Sequence, residues 1–244
     1  MLRKTSQSHV GHVAEQLPCT VGAASMAAYG SGVALVLQGS TDSERGAVWF
    51  TTYTEDGGWT EVRRIASASS DDGSQQCWDP ALHVDANGIP RVFYTVGEVG
   101  EGRPSPLSGM MTQADESGSF SPPQALPEGM LGPTRSGSGV RLDDGTILFI
   151  AEYDTLRIEA TDELFDEWEI VARINDEDSL EPIEPALCRY GDRGVLLCRS
   201  GCGDMVEVWS EPGFREWKIL RNKTGEEVVQ LGVNKYSNRG RGVG

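Results

Sequence analysis

Four short apolar runs, each opened by a glycine, recur along the chain at steps of roughly fifty residues. They are Gly32–Leu37, Gly88–Tyr94, Gly145–Ile150 and Gly194–Cys198. A pattern repeated at this period folds as one unit copied side by side, because a lone copy has an apolar face that only a neighbour can cover. Each run is short and bounded by turn residues, so it reads as a strand buried on both faces. A second strand candidate follows each run: Ala47–Tyr53, Gly109–Thr112, Leu156–Ala160 and Met205–Ser210. Next comes an acidic turn that ends in an aromatic, at Trp59, Phe120, Trp168 and Trp217. A closing apolar stretch completes each unit, at Val62 to Ile65, Ala125–Leu126, Ile170–Val171 and Ile219–Leu220.

Strand, strand, acidic turn, aromatic, strand predicts an all-β fold of the β-propeller type, with four blades around an axis and the apolar run as the inner strand. The aromatics are assigned to packing between sheets, and the Asp, Ser and Thr of the turns to bonding nearby backbone N–H groups. The blades are expected over residues 17–233, with flexible segments at 1–16 and 234–244.

Charge and composition remove several function classes. The net charge of −16 repels polyphosphate, and no Lys/Arg run precedes the last ten residues, so no nucleic acid partner is expected. Arg239 and Arg241 belong to the short tail. The five cysteines, Cys19, Cys77, Cys188, Cys198 and Cys202, are odd in number and irregularly spaced. They read as buried reduced thiols and not as a disulfide framework. His9, His12 and His83 fall in no metal-ligand spacing, so neither metal nor cofactor is expected. Phosphate-loop and nucleophile-elbow motifs are missing from the sequence. No apolar run approaches the ~20 residues of a membrane span. The polar stretch up to Leu17 lacks a signal-peptide core, which predicts a cytoplasmic protein as written, or a secreted one if an N-terminal part is missing.

The turns resemble the Asp-box of sialidases, Ser-x-Asp-x-Gly-x-Thr-Trp. Asp115 and Ser119 stand at its Asp and Thr places before Phe120, and Thr161 and Ser210 at its opening Ser place. Longer segments carry the resemblance further. Cys77-Trp78-Asp79-Pro80-Ala81-Leu82 is similar to the Cys-Trp-Asn-Pro-Val-Leu of exo-α-sialidase-like proteins. Phe93 to Gly97 resembles their Phe-Tyr-Lys-Val-Gly, and Leu126 to Pro133 their Leu-Pro-Asp-Gly-Ile-Leu-Gly-Pro. Leu142 to Leu148 matches Leu-x-Asp-Gly-Thr-Leu-Leu, and Cys198-Arg199-Ser200 matches Cys-Arg-Ser. These segments follow the family's order over most of the chain.

The resemblance to the sialidase-like (BNR, Asp-box) superfamily implies a six-bladed propeller, of which four units are present here, so the ring is partial or shortened. An unclosed ring exposes sheet edges, which makes an oligomer an expectation. The resemblance also implies a glycoside hydrolase that cleaves terminal sialic acid or a related anionic sugar; the other reading is a non-catalytic propeller that binds carbohydrate or protein.

Sialidases hold the sugar carboxylate with arginines and use a Tyr nucleophile assisted by a Glu, with an Asp as acid/base. Read onto this sequence, Glu152 and Tyr153 are candidates for the carboxylate-assisted pair and Asp79 for a further catalytic group. Arg199, Arg135 and Glu44 are candidates for sugar binding. The ends of the apolar runs, at Gln38, Gly39, Thr95, Glu152, Tyr153 and Arg199, are expected to converge on the axial mouth. Arg199 has two open readings, an anion-binding residue or a structural ion pair with a neighbouring blade, Glu152 being the nearest partner in view. The family's Phe-Arg-x-Pro arginine has no counterpart, and Pro18-Cys19-Thr20-Val21 stands where the family has Ser-Cys-His-Ala.

Overall fold

The computed structural model describes residues 20–41, 46–68, 74–98, 107–134, 139–152, 156–174, 183–199 and 205–219. Every regular element among them is a strand, and no described helix is long and apolar enough to cross a membrane. The strands form four antiparallel sheets in chain order. The first contains β1 (Thr20–Tyr29), β2 (Gly32–Ser40), β3 (Ala47–Thr54) and β4 (Gly58–Trp59), with β5 (Arg63–Ala66) also paired to β3. The second contains β6 (Gln75–Val84), β7 (Pro90–Glu98), β8 (Leu107–Gln113) and β9 (Gln124–Ala125). The third contains β10 (Val140–Arg141), β11 (Ile147–Glu152), β12 (Leu156–Thr161) and β13 (Trp168–Ile174). The fourth contains β14 (Ile183–Tyr190), β15 (Arg193–Arg199), β16 (Met205–Ser210) and β17 (Trp217–Ile219). This is the four-bladed arrangement that the repeat predicts.

Each seam between blades has its own core. Val36, Val48, Phe50, Leu82 and Val92 fill the first seam, and Phe93, Phe149 and Phe165 the second. Ile150, Ile158, Leu196 and Val208 fill the third. Each such fully buried side chain contributes about 1.5–3 kcal/mol, which is how copies that cannot stand alone stabilise one another.

The order of strands within a blade differs from the sequence expectation. The apolar runs are the second strands, β2, β7, β11 and β15, and β1, β6, β10 and β14 precede them at the sheet edge. Neighbouring sheets approach along these first strands, β1 lying against β6 and β10 against β14. A second strand is flanked within its sheet and covered on both faces, so it carries the most apolar sequence. A first strand has a free edge and mixed composition, as in β1, Thr-Val-Gly-Ala-Ala-Ser-Met-Ala-Ala-Tyr, and so lacks that signal.

Two of the turn aromatics pack between sheets as expected, while Trp59 lies against Tyr53 of its own sheet at 5.2 Å. Phe120 meets Phe50 edge-on at 4.9 Å across the first seam, and Trp168 meets Phe93 edge-on at 6.0 Å across the second. In blades three and four the turn is built the same way twice. Phe165 and Phe214 take positive φ (64° and 62°), and the Trp three residues later donates its indole N–H to their carbonyls at 3.0 and 2.9 Å. Asp115 Oδ1 accepts the Ser117 hydroxyl at 2.6 Å and the backbone N–H groups of Ser117 and Ser119 at 2.8 and 2.9 Å, which together hold its carboxyl below the usual range. Trp217 also explains Gly194, because a Cβ there would lie 2.2 Å from the indole.

The cysteine expectation needs correction at one position. Cys77 and Cys198 are buried free thiols, but Cys188 on the edge strand β14 is exposed. Cys19 and Cys202 lie outside the described residues.

Candidate functional site

Antiparallel pairing brings the starts of the first strands to the ends of the second strands. Thr20 faces Ser40, Gln75 faces Glu98 and Ile183 faces Arg199. The third strands begin there too, since Glu152 faces Leu156. One rim therefore gathers Gln38, Asp79, Glu152, Glu184 and Arg199, while the acidic turns lie at the other ends of the strands.

Near this rim, β1, β6 and β14 each carry a β-bulge, between Val21 and Ala24, Trp78 and Ala81, and Ile183 and Ala186. In two blades the bulge is the same tripeptide, an acid followed by Pro-Ala: Asp79-Pro80-Ala81 and Glu184-Pro185-Ala186. Asp79 and Glu184 have φ of 45° and 51°. An L residue in the left-handed region costs of order 1–3 kcal/mol, and a following proline narrows its choices further. A bulge re-aims its side chain, and here it turns a carboxylate at the rim in two blades.

Both of these acid-bearing bulges are tied to the blade before them. Asp79 donates its backbone N–H to Gln38 Oε1 at 3.3 Å, and Glu184 donates its own to Glu152 Oε2 at 2.9 Å. Gln38 and Glu152 both stand near the end of a second strand, so the same bond recurs in two seams. Glu152 is fixed from its other side, its N–H donating to Thr134 Oγ1 at 2.9 Å.

Arg199 meets Glu184 through a two-pronged contact. Its Nε lies 2.8 Å from Oε2 and its Nη2 donates to Oε1 at 3.1 Å. The partner is thus Glu184, not the Glu152 anticipated from sequence, and Glu152 acts one step removed by holding the Glu184 backbone. The side chains of Arg199 and Glu184 are 46% and 43% exposed, so the pair adds little to stability but orients the guanidinium. Fork geometry of this kind occupies the Nε–Nη2 edge, and among the described residues the other edge has no partner.

Glu44, Arg135 and Tyr153 lie outside the described residues. Thr95 is only 1% exposed, because β7 runs on to Glu98, so it is not at the mouth. Cys198, next to Arg199, is buried and its thiol is pushed up to about 12, which leaves it a packing group and not a nucleophile.

The structure adds residues that the sequence did not bring forward. Glu159 on β12 is fully buried and accepts the N–H groups of Leu131 (3.1 Å) and Gly132 (2.7 Å). Arg157, two residues earlier on the same face and 8% exposed, places Nε 2.9 Å from Glu159 Oε1. Burial pushes the Glu159 carboxyl up, opposed by Arg157 and the two backbone donors. The pair clamps the segment that crosses from the second blade to the third, just below the rim. Its sequence signal was two opposite charges inside an otherwise apolar strand, Leu156-Arg157-Ile158-Glu159-Ala160. The signal for Glu184 was the second copy of acid-Pro-Ala.

A family model described as BNR repeat-like domain matches residues 34–237. No curated protein matches the chain significantly. Among solved structures, the chain is similar to Trypanosoma rangeli sialidase in complex with sialic acid, with a TM-score of 0.64 and 11% identity, covering 82% of this chain and 37% of that one. A mutant of NanB sialidase from Streptococcus pneumoniae gives a TM-score of 0.65 at 10% identity, covering 85% and 53%. A Dyadobacter fermentans protein of unknown function gives 0.64 at 15%, covering 82% and 68%. At these identities the likeness is one of fold, and the chain spans less than two fifths of the Trypanosoma protein.

Proposed function

The chain belongs to the BNR repeat-like family, and from that membership we propose that it is a sialidase-like glycoside hydrolase acting on a terminal sialic acid or a related anionic sugar at the rim. The observation that carries the reading is Arg199, whose fork is held by Glu184 while its second edge stays uncommitted among the described residues. A planar guanidinium with one edge fixed offers the other for paired N–H bonds to a sugar carboxylate.

In this reading Arg199 binds the carboxylate, with Arg135 and Glu44 as further substrate contacts. Tyr153 attacks the anomeric carbon and Glu152 takes its proton, since a neutral phenol approaches an anionic sugar without the repulsion that a carboxylate nucleophile would meet. Asp79 serves as acid/base, its carboxylate presented by the strained bulge. The Trypanosoma structure with sialic acid supports the substrate class.

The test is release of a fluorophore from an α-sialoside by the wild type and by Arg199→Ala. The expected result is turnover by the wild type and a loss of about 100-fold in kcat/KM for the variant. Absence of both turnover and sialic acid binding in the wild type would refute the reading.

A further inference from the structure

The first seam does not stay closed along its length. Deep in it Phe50, Phe120 and the buried aliphatics meet, but toward the rim the two sheets part and leave a cleft of about 730 Å3. One wall runs from Arg64 to Ala68, along β5 and just beyond it. The other is one face of the second blade: Tyr94, Val96 and Glu98 of β7, with Ser108 and Met110 of β8. Gln75, at the start of β6, lines it as well. Short side chains, Ala66, Ser67 and Ala68 on one side and Ser108 on the other, line the gap.

We propose that this cleft is a second binding site, one for a neutral saccharide unit, separate from the rim site around Arg199. Its volume falls within the usual range for small-ligand sites. Its lining alternates hydrogen-bonding groups (Ser67, Gln75, Ser108) with apolar ones (Ile65, Val96, Met110), which is what a sugar ring with hydroxyls at its edge and C–H groups on its face requires. The two charges of the lining, Arg64 and Glu98, are of opposite sign, and the chain as a whole carries −16, so an anion gains nothing here. A purely apolar ligand would strand the polar groups of both walls. Gln75 and Asp79 share β6 four residues apart, about 13 Å along the strand, so the two sites are neighbours without overlapping. The cleft does not depend on hydrolysis at the rim.

The experiment measures saturation-transfer NMR and calorimetric titration of a panel of neutral disaccharides (lactose, N-acetyllactosamine, cellobiose, maltose). The proteins are the wild type, Ser108→Trp, Ser67→Trp and Arg199→Ala. The two tryptophans fill the cleft from opposite walls, so either one that keeps a melting temperature within about 2 °C of the wild type is informative. At least one disaccharide is expected to bind the wild type and Arg199→Ala alike and to weaken by about tenfold or more in the Trp variants. Lack of binding by every disaccharide, or equal binding by the folded Trp variants, would overturn the proposal. Sialoside binding lost only in Arg199→Ala, with no neutral sugar bound, would end the cleft reading and leave the rim reading standing; the opposite pattern would do the reverse.

Discussion

His83 offers a direct test of how the second seam is held. It lies on β6 with its ring 5.5 Å from Phe149 and 5.6 Å from Phe165, both of the next blade. Burial lowers its pKa from 6.5 to about 4, with Asp85 pulling it up and Arg91 pushing it further down. The folded-state value is depressed, so the neutral ring contributes stability that is fully present above pH 6.5. As pH falls below 6.5 the unfolded chain takes up a proton that the folded protein refuses, and the contribution is lost by about pH 4. The shift corresponds to about 3 kcal/mol across that window. His83→Phe keeps a flat ring among Phe149 and Phe165 and removes the titration. Urea unfolding of both proteins, followed by tryptophan fluorescence from about pH 7.5 to about pH 4, gives the stability difference at each pH. The expected difference is constant above neutrality and moves against the wild type by about 3 kcal/mol at the acid end. A difference that stays flat within about 0.5 kcal/mol would show that His83 titrates like a solvated histidine, and the packing account of this seam would fail.

The other predictions concern the scaffold of the site. Glu159→Ala removes the counter-charge of a buried arginine and the acceptor of two backbone N–H groups, so denaturant titration should show a loss of about 3–5 kcal/mol. Exchanging both partners, Arg157→Met with Glu159→Leu, should recover much of that loss. Gly194→Ala sets a methyl group against the Trp217 ring and should cost about 1–3 kcal/mol, with the indole fluorescence of the fourth blade altered in the native state.

The repeat was legible because the second and third strands are apolar enough to show at a fixed period. The observed β3, β12 and β16 begin where Ala47, Leu156 and Met205 predict. The first strands were not legible, since an edge strand with a bulge follows neither strict alternation nor a continuous apolar run. That omission had a direct effect on the site. Without β14 there was no Glu184, so Arg199 was matched to Glu152 at the end of the neighbouring second strand. The two lie close, as the bond from the Glu184 N–H to Glu152 shows, but proximity in a rim says little about which carboxylate a guanidinium takes. The Arg157–Glu159 clamp was hidden for a different reason. Charges inside a strand look like solvent-facing residues until the chain segment that covers them is known, and Leu131–Gly132 reaches them from the other blade.

The bond from each strained bulge to a polar side chain of the preceding sheet sets a rule for modularity. Gln38 serves Asp79 and Glu152 serves Glu184. A sheet moved to a new place in such an array, by duplication or by protein engineering, must bring its own acceptor at the tip of its second strand. Without it, the next unit would have its most contorted peptide unsupported, and the carboxylate displayed there would lose its aim. Interchangeable parts in this architecture are therefore defined by how they finish as much as by how they pack.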